Sequence, residues 1–226
     1  AQLSFKQKMV LELFAHIGKV TPETVLPPLK GPIWGYRKKA RLGVRDVPKK
    51  GGVLVGFRET FSNRIAVMNQ CEVLDDRVGK LIEPLKNLLS TLESKADIPQ
   101  IEVAATEKEA ALVIRHLVPL PEKDKAAFSQ FCKEHHLAFY SQAKGQDSVV
   151  RLYPEGPLHL SYDLNDFGLR FSFHPLDFTQ VNSDINQQMV QEALDWLDVK
   201  PEDTVLDLFC GIGNFTLPLA KRAKAV

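Results

Sequence analysis

The stretch that most constrains this chain is Val205-Leu206-Asp207-Leu208-Phe209-Cys210-Gly211-Ile212-Gly213-Asn214-Phe215-Thr216. An apolar run reaches an acidic residue, a glycine turn follows, and a helical pattern opens near Asn214. In a doubly wound α/β sheet this is the order of a first strand, its βα turn and the helix behind it, and ligands bind at the carboxyl end of such strands. Gly211 and Gly213 let the backbone turn tightly and approach a ligand with no Cβ in the way. The first N–H groups of the following helix lack intrahelical partners and point to the same place.

The spacing separates two ligand classes. A dinucleotide fingerprint has a third glycine, G-x-G-x-x-G, to pack helix on strand. Here the sixth position is Thr216, and Asp207 stands four residues before Gly211. The pattern Asp-x-x-x-Gly-x-Gly resembles the S-adenosylmethionine loop of the Rossmann-like methyltransferases, with an ordinary glycine-rich βα turn as the alternative. Upstream lies Asp177-Phe178-Thr179-Gln180-Val181-Asn182, followed by a helical pattern. Taken with WGYRKKARL from Trp34, GFRE from Gly56, the isolated Cys71 in NQC, WLDVKPED from Trp196 and VLDLFCGIGNFTLPLA, the chain resembles the bacterial 23S ribosomal RNA (uracil-5)-methyltransferases of the RNA m5U methyltransferase family. These pieces occur in the family's order and span nearly the whole chain.

The resemblance implies a fold and a chemistry. The fold is an α+β central domain followed by the start of a Rossmann-like (class I) α/β methyltransferase domain. The chemistry is methyl transfer from S-adenosyl-L-methionine to C5 of a uridine in 23S ribosomal RNA. A cysteine adds to C6 so that C5 becomes nucleophilic, and the uridine must leave its stack to be reached. By match to the family's motifs, Gln180, Phe209 and Asn214 contact the cofactor, while Asp207, Gly211 and Gly213 shape the turn. Cys71 matches the last of four ligands to a [4Fe–4S] cluster in the parent enzyme. The cysteine-rich segment that holds the other three is absent, and one thiolate does not hold a cluster, so none is expected here. The family's nucleophile lies in a Ser-Cys-Asn-Pro context that is also absent, as is a small RNA-binding barrel. The chain therefore reads as a fragment with no catalytic residue of its own. Alternatives are a non-catalytic RNA-binding α+β module and a methyltransferase acting on transfer RNA.

Composition sets looser bounds. With 44 % hydrophobic and 25 % charged residues the chain has the make-up of a soluble globular protein. Net charge is only +1, so attraction to RNA requires a local patch. Three scattered cysteines, Cys71, Cys132 and Cys210, argue against a disulfide framework and for a reducing, cytoplasmic setting. No apolar run approaches the about 18 residues of a membrane span. Neither a membrane nor a protein partner is implied.

Three regions follow along the chain. Residues 1–29 hold an amphipathic helix from about Leu3 to Ile17 and a proline-rich connector, and the helix needs a partner, such as the methyltransferase part. Residues 30–175 form the central RNA-binding domain, and residues 176–226 start the methyltransferase domain. In the central domain Tyr36–Val47 alternates, Pro48–Gly52 turns, and a second strand follows from Val53. That alternation places Arg37, Lys39, Arg41 and Arg45 on one face; with Arg58 they are the candidate RNA contacts, and Tyr36 and Phe57 could stack on bases. A solvated outer face of the sheet is the alternative. Further strands are expected near Ile65–Val73, Ile101–Ala105, Ala111–Leu117, Leu137–Tyr140, Val149–Tyr153, Leu158–Tyr162 and Leu169–His174. Helices are expected at Asp75–Leu92, from Pro121 to about His135, and after Ser183 as N-cap. Cys210 is expected to be a packing residue.

Overall fold

Alternating apolar residues carry the chain into its first hairpin, β1 (Lys39–Val47) and β2 (Gly52–Gly56), joined by a 3-10 turn at Pro48–Lys50. Gly51 and Gly52 take φ of 90° and 113°, values that side-chain-bearing residues avoid, so the turn depends on them. The computed structural model describes residues 1–226, the side chain of Lys50 excepted, and divides into two units, Ala1–Gly31 and Pro32–Val226.

In the first unit α1 (Gln2–Leu13) runs into a π-helical turn, Phe14–Gly18, which ends at left-handed Lys19. Within the unit, Pro22–Pro28 folds back along Leu3, Gln7, Val10 and Phe14 to leave an apolar groove of about 460 Å³. No residue of α1 is buried.

The second unit is built on a six-stranded sheet of order β2-β1-β3-β4-β5-β6. Its remaining strands are β3 (Gln100–Ala105), β4 (Ala110–Arg115), β5 (Ala138–Gln142) and β6 (Val149–Tyr153). All neighbours are antiparallel except β4 and β5, which are joined through α4 (Glu122–Glu134). A parallel pair needs such a crossover. The short helices α2 (Asp76–Gly79) and α3 (Ile82–Thr91) stand where one helix was expected. Pro84 lies in the first turn of α3, where its missing N–H costs nothing, so a new helix starts there rather than continuing the old one. With α4 they bury Leu42, Val55, Ile82, Leu85, Leu89, Ile101, Leu112, Phe128 and Phe139 against one sheet face.

A two-stranded hairpin, β7 (Leu160–Leu164) and β8 (Leu169–Phe173), covers part of the other face. Leu160 and Phe173 at one end of the hairpin join Ala104, Val113 and Tyr140 of the large sheet. Phe171 in the middle of the hairpin and Leu164 at its other end join Val190 and Leu194 of α5 (Ser183–Leu197) and Leu219 of α6 (Thr216–Ala220). Tyr162 lies against both clusters and stacks on its cross-strand partner Phe171, with centroids 4.9 Å apart.

Three expectations are corrected. Ile65–Val73 is not a strand, and only Ile65 makes a bridge, to Arg58. It crosses the sheet instead. Gly43 and Gly56 sit opposite one another, and a Cβ on them would lie 3.1 Å from Ile65 Cδ1 and 2.5 Å from Ala66 O. The N-cap of α5 is Asn182, whose Oδ1 accepts from Ile185 N–H at 3.1 Å, rather than Ser183. The motif strand expected at Val205–Asp207 is unladdered: beside it stands a single parallel bridge from Thr204 to Ala225, the chain turns at Leu208, and Leu206 and Leu208 are exposed. A strand pattern yields a strand only where neighbours offer a ladder.

Candidate functional site

The two loops singled out from sequence face each other across one cleft of about 450 Å³. It is lined by Tyr162, Asp177–Gln180, Phe209–Ile212, Asn214 and Phe215. Of the residues matched to a cofactor site, Gln180, Phe209, Gly211 and Asn214 line it, while Asp207 and Gly213 do not. These two shape the loop. Asp207 accepts from Thr216 Oγ1 at 2.5 Å, which ties the loop's start to the first residue of α6. Gly213 takes φ 89° and Gly211 φ 58°, so the turn passes twice through the left-handed region. Phe209 does so as well, at φ 62°, and its side chain is fully exposed. A non-glycine held there carries local strain of the kind that gathers at binding sites. Helix α6 has only five residues and starts at Thr216, later than the sequence pattern places it.

Asn214 is held by a half-buried polar latch that the sequence did not reveal. Its amide pairs reciprocally with that of Asn186, at 2.9 Å in each direction, and its Oδ1 also accepts from Tyr162 Oη at 3.0 Å. Asn186 is buried at the first turn of α5, and burial pushes the Tyr162 hydroxyl up to about 12, so it remains a protonated donor. Hydrogen bonds satisfied away from water orient a side chain strongly, because breaking one strands the other groups.

The opposite wall is held by the basic strand. Lys39 Nζ donates to Pro175 O at 2.8 Å and to Asp177 O. Lys38 N–H donates to Val181 O at 2.7 Å, and Arg37 bridges Asn182. Asp177 itself accepts from His174 N–H at 2.7 Å and from Gln146 Nε2 at 2.8 Å. Burial pulls the Lys39 ammonium down to about 8, while Glu102 and Asp177 oppose that shift.

This changes the reading of the cations. Arg37 lies outside β1, and its partly buried side chain leaves Nε without a hydrogen-bond partner among the described residues. Lys38 pairs with Asp75 at 2.9 Å, and Arg77 binds the same carboxylate, which is held down at about 2 although burial pulls it upward. The face expected to carry four free cations therefore exposes two. Arg41 leans on Glu102 at 2.6 Å with most of its side chain in solvent, and Arg45 is exposed. Arg58 is also exposed, at the base of a loop that holds Phe61 at φ 58° and fully in solvent, with Arg64 beside it. Phe57 packs against the core instead of facing out, and Tyr36 is half-buried.

The cysteines are placed apart. Cys71 is buried, with its N–H bonded to Gly79 O, and no group of three or more His, Cys, Asp or Glu among the described residues is arranged for a metal. A lone thiol of this kind does not fit an iron–sulfur cluster, which takes four. Cys132 is buried and its thiol is pushed up to about 12. Cys210, expected to be a packing residue, is exposed and lines the cleft, in the turn that precedes α6. No helix among the described residues is long and apolar enough to cross a membrane.

The model of the family described as tRNA (Uracil-5-)-methyltransferase matches residues 2–226, and the chain belongs to that family. It is 49 % identical over 99 % of its length to the 23S rRNA (uracil(1939)-C(5))-methyltransferase RlmD of Bordetella pertussis, covering 48 % of that protein. It is 50 % identical over its full length to the RlmD of Hahella chejuensis, covering 51 % of it. The chain thus spans about half the length of these relatives. In fold it resembles the Pyrococcus abyssi tRNA (uracil-54, C5)-methyltransferase, solved in complex with S-adenosyl-L-homocysteine. The TM-score is 0.68 at 22 % identity, over 97 % of this chain and 53 % of that one.

Proposed function

We propose that the chain is part of an S-adenosylmethionine-dependent enzyme that methylates C5 of a uridine in 23S ribosomal RNA. The observation that carries the reading is the cleft itself, in which Gln180 of one motif faces Phe209, Gly211 and Asn214 of the other. When bound, S-adenosylmethionine supplies an electrophilic methyl group on a sulfonium. The chain's part is to hold it. The left-handed turn at Phe209 and Gly211 brings backbone close to the ligand, the exposed rings of Phe178 and Phe209 offer apolar faces, and the amides of Gln180 and the latched Asn214 fix orientation. A covalent cysteine adduct at C6 belongs to this reading, with its nucleophile outside these residues. Cys71 and Cys132 are buried, and Cys210 sits in the cofactor turn. The homologues' names favour ribosomal over transfer RNA.

For RNA, the exposed cations Arg41 and Arg45 with Arg58 support a phosphate-contacting face. Phe61, held out between Arg58 and Arg64, offers a stacking surface for an unpaired base.

Calorimetric titration of the full-length enzyme with S-adenosylhomocysteine tests the cleft. Replacing Asn214 by Ala is expected to weaken binding at least about tenfold, the effect of losing one or two oriented hydrogen bonds. Unchanged affinity would move the cofactor elsewhere. The 226-residue chain alone is expected to bind weakly and to transfer no methyl group to 23S RNA.

A further inference from the structure

The alternating strip Arg37, Lys39, Arg41 and Arg45 reads from sequence as a polyanion contact, yet the structure turns Lys39 inward. Lys39 sits on the sheet face shared with Ala104, beside the hairpin β7–β8, and its side chain reaches residues 136 and 138 positions away in the chain. Its targets are two peptide carbonyls, Pro175 O and Asp177 O, at the root of the Asp177–Gln180 wall. Bonds from one ammonium to two carbonyls fix the peptide planes around Pro175–Asp177, and they leave the side chains of Phe178, Thr179 and Gln180 to face the cleft. The other end of that wall is tied by Lys38 N–H to Val181 O and by the Arg37–Asn182 bridge, so the motif is suspended from the start of β1.

We infer that Lys39 is a positioning residue for the cofactor cleft, its side chain anchoring the Asp177–Gln180 wall to the central sheet. This rests on the cofactor reading of the cleft given above.

The role leaves a signature that a purely structural ion would not. The groups facing Lys39 are Glu102 on β3, Asp177 and His174 on the loop, and Arg41 on its own strand. Burial outweighs the two carboxylates, and the ammonium loses its proton near 8 rather than 10.5. Between these values the unfolded chain holds a proton that the folded chain has released, so this group's contribution to stability rises with pH across the window. The charge that strengthens the two carbonyl bonds disappears over the same window. Cofactor affinity and the contribution of Lys39 to fold stability should therefore move in opposite directions above pH 8, which no simple loosening of the fold produces.

The experiment uses the full-length enzyme, with S-adenosylmethionine as the probe, titrated calorimetrically between pH 7 and 9.5 alongside thermal melts. Wild type is expected to lose several-fold in affinity across that range. Lys39→Arg, which does not titrate there, is expected to hold its affinity once the common contribution of the ligand's own amine is subtracted. Lys39→Met is expected to bind about tenfold more weakly at pH 7.5, with a melting temperature equal to or above wild type. If Lys39→Met binds as wild type does, or if its melting temperature falls while Lys39→Arg shows the wild-type pH profile, the inference is overturned. If Lys39→Met does not fold, the wild-type and Lys39→Arg titrations alone decide it. Wild type failing to bind S-adenosylmethionine at any pH would instead refute the cofactor reading of the cleft.

Discussion

The central sheet and the glycine loop draw on similar apolar content and end in opposite states. In β1 and β3–β5, Leu42, Ile101, Leu112 and Phe139 are completely buried. In the loop, Leu206 is 79 % exposed, Leu208 69 % and Phe209 fully exposed, although the run up to Asp207 reads as the first strand of a sheet. Local preference is the same in both; the sheet has helices α3 and α4 on one face and the hairpin on part of the other, whereas the loop has one bridge at its side. The contrast teaches that a parallel-sheet strand is made by its neighbours. The loop nevertheless keeps a definite shape, through left-handed residues, the Asp207–Thr216 bond and the amide latch on Asn214.

The contrast can be broken by substitution. Leu42→Ala in the sheet is expected to cost about 3 kcal/mol, the transfer and cavity terms of a buried leucine. Leu206→Ala in the loop should cost less than about 0.5 kcal/mol, as an exposed site. Urea unfolding of the 226-residue chain measures both, and equal costs would mean that the loop strand is paired in solution.

A somewhat smaller effect is expected at the latch. Asn186→Ala leaves the Asn214 Nδ2 without its acceptor and its Oδ1 with only the Tyr162 hydroxyl as donor, and should cost about 2 kcal/mol. It should also weaken cofactor binding by the full-length enzyme. If stability falls and affinity does not, the latch serves the fold alone.

Acid sharpens the sheet's side of the comparison. Asp75, buried between Lys38 and Arg77, has its folded value lowered from 3.8 to about 2. A carboxylate so lowered contributes stability that is present above about 4 and lost as pH falls towards 2. Asp75→Asn should flatten the stability profile across that window and leave the profile above it parallel to wild type. An unaltered acid limb would show that the ion pairs are not kept in solution.

The smallest effect concerns RNA. Arg45→Ala should reduce the salt slope of binding by about 0.7 if it meets a single-strand phosphate, with little change in stability. Lys39→Met should leave the slope unchanged, since its ammonium is spent on carbonyls. Filter binding at several salt concentrations separates the two, and a slope reduced as much by Lys39→Met as by Arg45→Ala would return Lys39 to the RNA face.

Much of this molecule was legible in advance. The hairpin at Pro48–Gly52, the strands around Ile101, Ala111 and Leu137, the helix after Pro121 and the glycine loop follow from periodicity, turn residues or motif spacing within about a dozen residues, while Asp177–Asn182 stands out only through the resemblance to the family. Glycines at 211 and 213 foretold a left-handed turn because few other residues enter that region cheaply. What a side chain does with its charge or its amide was not legible. Lys39, Arg41 and Arg45 occupy equivalent alternating positions on one strand, yet the first is a half-buried clamp, the second leans on Glu102, and the third is solvated. Their fates depend on Pro175, Asp177 and Glu102, far along the chain. Alternation along a strand tells which face a residue takes. Whether that face meets water, a carboxylate or a carbonyl is decided only when distant segments pack upon it, because desolvation and hydrogen bonding act through space rather than along the sequence.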